Sequence, residues 1–93
     1  MKAVWNEETV AESDETVVVD GNHYFPPHSV DRRYLSESRM RSVCPWKGIA
    51  RYYTIEANGE RNHNAAWTHP RPLPWIRRIR DHVAFRNGVE VRR

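Results

Sequence analysis

The sequence predicts a small, mainly β single domain spanning residues 1–93, either a barrel or two packed sheets, with one or two short helical turns. Three observations predict it. Thr16-Val17-Val18-Val19 is a β-branched run that suits a pleated surface. Ile49 to Ala57 alternates with a period of two, and Asn58-Gly59 directly after it is a strong hairpin signal, since both residues accept positive φ. Strand-length runs separated by turn residues recur along the chain, about seven to nine in all, with no internal repeat and no domain boundary.

In order, Lys2 to Trp5 reads as a first strand and Thr9 to Ala11 as a second, joined through Asn6-Glu7. Thr16 to Val19 turns at Asp20-Gly21-Asn22 into His23-Tyr24-Phe25, which stops at Pro26-Pro27. Ser29 is placed to cap a helix of about two turns, with Asp31 in its first turn and Val30, Tyr34 and Leu35 on one side. Ser36-Glu37-Ser38 reads as a loop. In the strand from Ile49 to Ala57, the period of two puts Ile49, Arg51, Tyr53, Ile55 and Ala57 on one face. The return strand runs from about Arg61 to Trp67; counting outward from Asn58-Gly59 opposes Ala57 to Glu60, Ala50 roughly to Trp67 and Gly48 roughly to His69. Pro70, Pro72 and Pro74 alternate, so this link is extended. Trp75, Ile76, Ile79 and Val83 then follow helical spacing, with Arg77, Arg78 and Arg80 outward. Ala84-Phe85-Arg86 and Val89-Glu90-Val91 flank Asn87-Gly88 as a second hairpin.

Composition excludes several classes. A single cysteine cannot form an internal disulfide, which fits a reducing, cytoplasmic setting. The first residues turn acidic too soon for a signal peptide, and no apolar run approaches the roughly 20 residues needed to cross a bilayer, so no membrane partner is expected. The net charge of +3 conceals an asymmetry. Residues 1–31 carry one lysine against seven acids, and residues 32–93 carry fourteen basic residues against five acids. The two halves would neutralise each other by packing, or the basic half would present an anion- or nucleic-acid-binding face. The arginines are scattered, which favours packing.

The densest chemistry lies in Val43-Cys44-Pro45-Trp46-Lys47-Gly48. Cys44 is either a nucleophile activated by Lys47, or by His23, His63 or His69 brought close in the fold, or a small buried apolar residue. No metal site is expected, because a tetrahedral zinc site needs paired Cys or His ligands, and here one cysteine accompanies His63 and His69. Neither a Gly-x-Ser-x-Gly frame nor a glycine-rich phosphate loop or dinucleotide fingerprint is present, and no cofactor is implied. Tyr24, Trp46, Tyr52 or Tyr53, and Trp67 stand at strand ends, where ligand pockets form. With Lys47 or Arg51 beside them they would suit a small anionic or planar ligand, and otherwise they form the core of a small domain.

Glu12-Ser13 before Val17-Val18, Gly21-Asn22-His23-Tyr24-Phe25-Pro26, Cys44-Pro45-Trp46-Lys47-Gly48-Ile49-Ala50 with Tyr52-Tyr53, and Ala65-Ala66-Trp67 before Pro70 resemble the family catalogued as domain of unknown function 427. The resemblance covers essentially the whole chain in the same order. It implies a compact β fold of the Mss4-like or β-tent group, of mostly bacterial occurrence, with a nucleotidyltransferase-like label. No phosphate-handling motif or carboxylate pair accompanies that label here. The zinc knuckles of many β-tent proteins do not carry over, because the paired cysteines are missing.

The leading expectation is therefore a pocket floored by Cys44-Pro45-Trp46-Lys47-Gly48 that binds a small polar or anionic ligand. Tyr24, Trp46, Tyr53, Trp67 and Arg51 would bind that ligand, and Cys44 and Lys47 would carry any chemistry. One alternative is a protein- or nucleic-acid-binding module using Arg71, Arg77, Arg78 and Arg80, although few stacking aromatics accompany them and no nucleic-acid partner is expected. The other is a purely structural role for the motif. The sequence leaves monomer and homodimer equally open.

Overall fold

The computed structural model describes residues 1–93 and is mainly β. Nine strands run β1 Lys2–Trp5, β2 Glu8–Glu12, β3 Val17–Val19, β4 Asn22–Tyr24, β5 Leu35–Cys44, β6 Gly48–Ala57, β7 Glu60–Thr68, β8 Val83–Phe85 and β9 Glu90–Arg92. They form three antiparallel sheets, ordered β2-β1-β9, β3-β4 and β5-β6-β7-β8. The four-stranded sheet is open at β5 and joined at β8 only by an isolated bridge from Val83 to Phe25, so the fold takes the packed-sheet form and no barrel closes. No helix is long and apolar enough to cross a membrane.

Local turn chemistry builds the hairpins. Asn6-Glu7, Asp20-Gly21 and Asn58-Gly59 all adopt positive φ, matching the right-handed twist of the strands they join. Asn87-Gly88 adopts the same geometry, yet the expected second Asn-Gly hairpin does not form. β8 pairs with β7 and β9 with β1, so the turn hands the chain from one sheet to another. Asn62 and Asn87 hold that transfer: the Asn62 amide donates to the Asn87 carbonyl, and the Asn87 amide to the His63 carbonyl.

Tertiary pairing also overrides three other local expectations. Between Pro26 and Leu35 there are two single 3-10 turns, Pro27–Ser29 and Arg32–Tyr34, in place of one Ser29-capped helix. Ser29 Oγ donates back to the Pro26 carbonyl, and Val30 is extended and bridges to Ala11 of β2, which breaks the helical path. Asp31 caps the second turn by accepting from the Arg33 amide. Its bidentate pair with the Arg33 guanidinium holds the Asp31 carboxyl below its usual range. Ser36-Glu37-Ser38 is strand and not loop, because β5 pairs with β6 along this stretch as an edge strand with solvated side chains. The segment after the prolines is a 3-10 run, Pro74–Ile79, kinked at Ile76; it buries Ile76 and Ile79 and leaves Arg77 and Arg78 exposed.

Along β6 the parity of the buried residues changes between Thr54 and Ile55. Ile55 and Ala57 are buried, but Ile49 and Arg51 are exposed, while Ala50, Tyr52 and Thr54 face inward. Register breaks between Tyr53 and Ile55, where β7 carries extra residues around Asn64, held at φ 55°. The offset is two residues, so it keeps each side chain on its face but slides β7 along β6 and changes which residues meet across the strands. Trp67 consequently opposes Tyr52, not Ala50.

Two apolar clusters fill the interior. The larger packs Val10, Phe25, Ile55, Val83 and Phe85 between the sheets, with Phe25 edge-on to Phe85 at 5.5 Å. The smaller gathers Val19, Tyr24, Ile76, Ile79 and Ala84, and brings β3-β4 against the 3-10 run and β8. Tyr24 in this second cluster lies directly beneath the candidate site.

Candidate functional site

Cys44-Pro45-Trp46-Lys47-Gly48 is the turn of the β5-β6 hairpin. Cys44 opposes Gly48, and the Lys47 amide donates to the Cys44 carbonyl at 3.2 Å. Proline is pre-set for the second position of such a turn. Gly48 sits at φ 105°, and a Cβ there would stand 3.2 Å from the Arg71 carbonyl oxygen, so only glycine fits without strain. The proline-rich segment clamps the turn from outside. The Leu73 amide donates to the Lys47 carbonyl at 3.1 Å, and the Trp75 indole to the Trp46 carbonyl at 2.8 Å.

This clamped turn folds the Lys47 side chain inward, where it is only 9% exposed. Its Nζ lies 3.2 Å from Asp20 Oδ2 in the β3-β4 turn and 3.3 Å from the Tyr24 hydroxyl. The ammonium also stands 5.8 Å from the Tyr24 ring centroid and 5.4 Å from that of Trp46, in cation–π range. Burial alone would lower the lysine pKa, but the Tyr24 hydroxyl and the Asp20 carboxylate outweigh it and raise the pKa. Lys47 is thus a fixed positive charge. An ammonium has three donors, and Asp20 and Tyr24 engage two of them.

Tyr24, wholly buried, also accepts from the Trp67 indole at 3.2 Å, with the two rings edge to face at 6.1 Å. His69, just past β7, is 2% exposed, and its Nδ1 lies 3.2 Å from the Ile49 carbonyl oxygen. A carbonyl only accepts, so Nδ1 carries the proton and the neutral ring keeps a bare Nε2 lone pair. Burial pushes the His69 pKa down; the Ile49 carbonyl opposes this and the Lys47 charge adds to it.

These groups surround a cavity of about 250 Å³ on one face of the β5-β6-β7 sheet, lined by Ser42, Cys44, Lys47, Ala50, Tyr52, Trp67, His69 and Arg86. Ser42 and Tyr52 exchange a hydrogen bond at 2.9 Å, and the Arg86 guanidinium lies over the Tyr52 ring at 4.9 Å. The wall is half apolar and half polar, with two cations, Lys47 and Arg86, and the bare Nε2 of a neutral His69. No three His, Cys, Asp or Glu side chains cluster closely enough to hold a metal ion.

Of the residues singled out from sequence, Cys44, Lys47 and Trp67 line this cavity, and Tyr24 supports it from below. Trp46 is 39% exposed and packs against Lys47 from the turn without lining the cavity. Arg51 and Tyr53 lie on the opposite face of the sheet and line a different cavity. Sequence reasoning overlooked Ser42, Arg86 and Asp20, offered Tyr52 only as the alternative to Tyr53, and named His69 only among the histidines that folding could bring to Cys44. Tyr52 and Ser42 carried a usable signal: both are an even number of residues from the motif along their strands. His69 carried the same signal, standing two residues beyond Trp67.

A family model described as Domain of unknown function (DUF427) matches residues 1–93, the whole chain. No curated protein matches it.

Proposed function

The chain belongs to the DUF427 family, and from that premise and the geometry above we propose that it binds a small molecule in the Cys44–Lys47–Trp67–His69 cavity. The observation that carries this reading is a buried, charged Lys47 and a buried, neutral His69 on the wall of one indentation. A group serving packing alone would gain little from this arrangement, because a buried ammonium is costly to desolvate. The third donor of Lys47 suits a carboxylate or similar anionic group, and His69 Nε2 suits a hydroxyl donor. Tyr52, Trp67 and Ala50 offer apolar surface to the body of the ligand. At about 250 Å³ the cavity lies just below the usual range for drug-sized ligands, so a single-ring hydroxy-carboxylate is the scale that fits. Cys44 stands on the same wall as a thiol that a bound ligand would cover, and no covalent step is required of it.

The test is a titration of isotope-labelled protein with benzoate and 4-hydroxybenzoate, alongside alkylation of Cys44 by iodoacetamide. Binding should move the Trp67 indole resonance, slow alkylation of Cys44, and be stronger for the hydroxylated ligand. Lys47→Met should abolish it. If neither compound moves Trp67 or protects Cys44 at millimolar concentration, the reading fails.

A further inference from the structure

We propose that the opposite face of the same sheet carries a second, independent site for an oxyanion. It is built on the cross-strand row Arg41–Arg51–Thr68 and suited to a phosphate monoester with an apolar organic part. Arg41 of β5 opposes Arg51 of β6, and Arg51 opposes Thr68 of β7, so the three side chains share one face. Like charges directly opposed on neighbouring strands repel each other. Neither guanidinium takes part in any of the ion pairs within the chain. Arg41 Nη1 is positioned by the Ser38 and Met40 carbonyls at 2.9 and 2.8 Å, which fixes its direction without neutralising it.

Thr68 adds a separate sign. It is 95% buried, and its Oγ1 is the one buried side-chain polar atom without a hydrogen-bond partner in the protein. Buried hydroxyls are nearly always partnered, so an orphan beside two opposed arginines points to a ligand oxygen. All three residues line a cavity of about 290 Å³, and Arg32 reaches its Tyr53 wall at 3.4 Å. Two carboxylates, Glu37 and Asp81, also line it against the three arginines, and Asp81 lies 3.9 Å from Arg80. Through Arg51 and Pro70 the cavity adjoins a groove of about 420 Å³ that includes Ile49 and Arg71. Ile49 is 56% exposed there, an apolar shelf next to the charged row. Arginine forks match tetrahedral oxyanions through paired hydrogen bonds, and the shelf would take an organic substituent.

The experiment is an NMR titration with phenyl phosphate and with inorganic phosphate, each against chloride at matched ionic strength. Phenyl phosphate should shift the Arg51 and Thr68 amides and bind several-fold tighter than inorganic phosphate, an advantage that Ile49→Ser removes. Arg51→Gln should weaken binding at least tenfold and Thr68→Val a few-fold. Arg77→Gln combined with Arg78→Gln removes two charges elsewhere and should leave affinity within twofold. Arg51→Lys preserves charge but not the fork, and should still weaken binding several-fold, which guards against a misfolded Arg51→Gln. Affinity that follows net charge alone, or is unchanged in Arg51→Lys and Thr68→Val, overturns the proposal.

Discussion

Lys47 Nζ lies 3.3 Å from the hydroxyl of Tyr24, a residue with no solvent exposure. This contact joins the turn of the β5-β6 hairpin to β4 in a separate two-stranded sheet, 23 residues earlier in the chain. With Trp67 donating to the same oxygen, Tyr24 links three elements at one atom. The candidate site is therefore also a structural junction, and substitutions there should be read for stability as well as binding.

Lys47→Met keeps the aliphatic stem but removes the donor to Tyr24 and the charge facing Asp20. Losing a charged partner to a buried hydroxyl should cost about 1–3 kcal/mol. Asp20→Asn should cost less than about 1 kcal/mol, because its carboxylate is half exposed and an ion pair open to water is screened. Urea unfolding of both variants checks the order; a larger loss for Asp20→Asn would show that the ion pair, not the Tyr24 contact, holds the turn.

Acid should destabilise the fold through His69. Its folded pKa lies below its ordinary value near 6.5, so in mild acid the unfolded chain binds more protons than the folded one. The stability it contributes is complete above pH 6.5 and is lost as pH falls through the folded pKa. Replacement by Gln should flatten the part of the stability–pH curve just below pH 6.5, as followed by thermal unfolding in matched buffers. An unchanged slope there would mean that His69 titrates as it does in the unfolded chain.

Gly48→Ala should cost more than Gly59→Ala. Both glycines have positive φ, which alone costs an alanine on the order of 1 kcal/mol. At Gly59 a Cβ meets open space, whereas at Gly48 it would press on the Arg71 carbonyl at 3.2 Å and loosen the clamp over the turn. Chemical denaturation of the two variants measures the difference directly. Equal losses would show that the proline-rich segment yields freely.

Much of the architecture was legible because its causes are local. Asn6-Glu7, Asp20-Gly21 and Asn58-Gly59 place positive φ where two strands must reverse, and β1, β3 and the start of the β6-β7 hairpin follow from them. The motif around Cys44 was legible as a site candidate from its density of side-chain chemistry, and Lys47 and Trp67 do meet there. The Ser29 helix, the Ser36–Ser38 loop and the second Asn-Gly hairpin were misread because long-range pairing, with Ala11, Thr54 and β1 respectively, competes with weak local preference.

By itself, then, the sequence determined most of the strands, the three reversing turns at Asn6-Glu7, Asp20-Gly21 and Asn58-Gly59, and the residues able to do chemistry, since these rest on φ preferences and side-chain type. Which of those residues meet across the strands was decided only in the tertiary structure. The two-residue offsets around Asn64 in β7 and between Glu37 and Arg41 in β5 leave each side chain on its face but change which residues meet across the strands. Those offsets bring Trp67 opposite Tyr52 and set Arg41 opposite Arg51, while alternation along β6 leaves Arg51 and Tyr53 on the other side of the sheet from Tyr52.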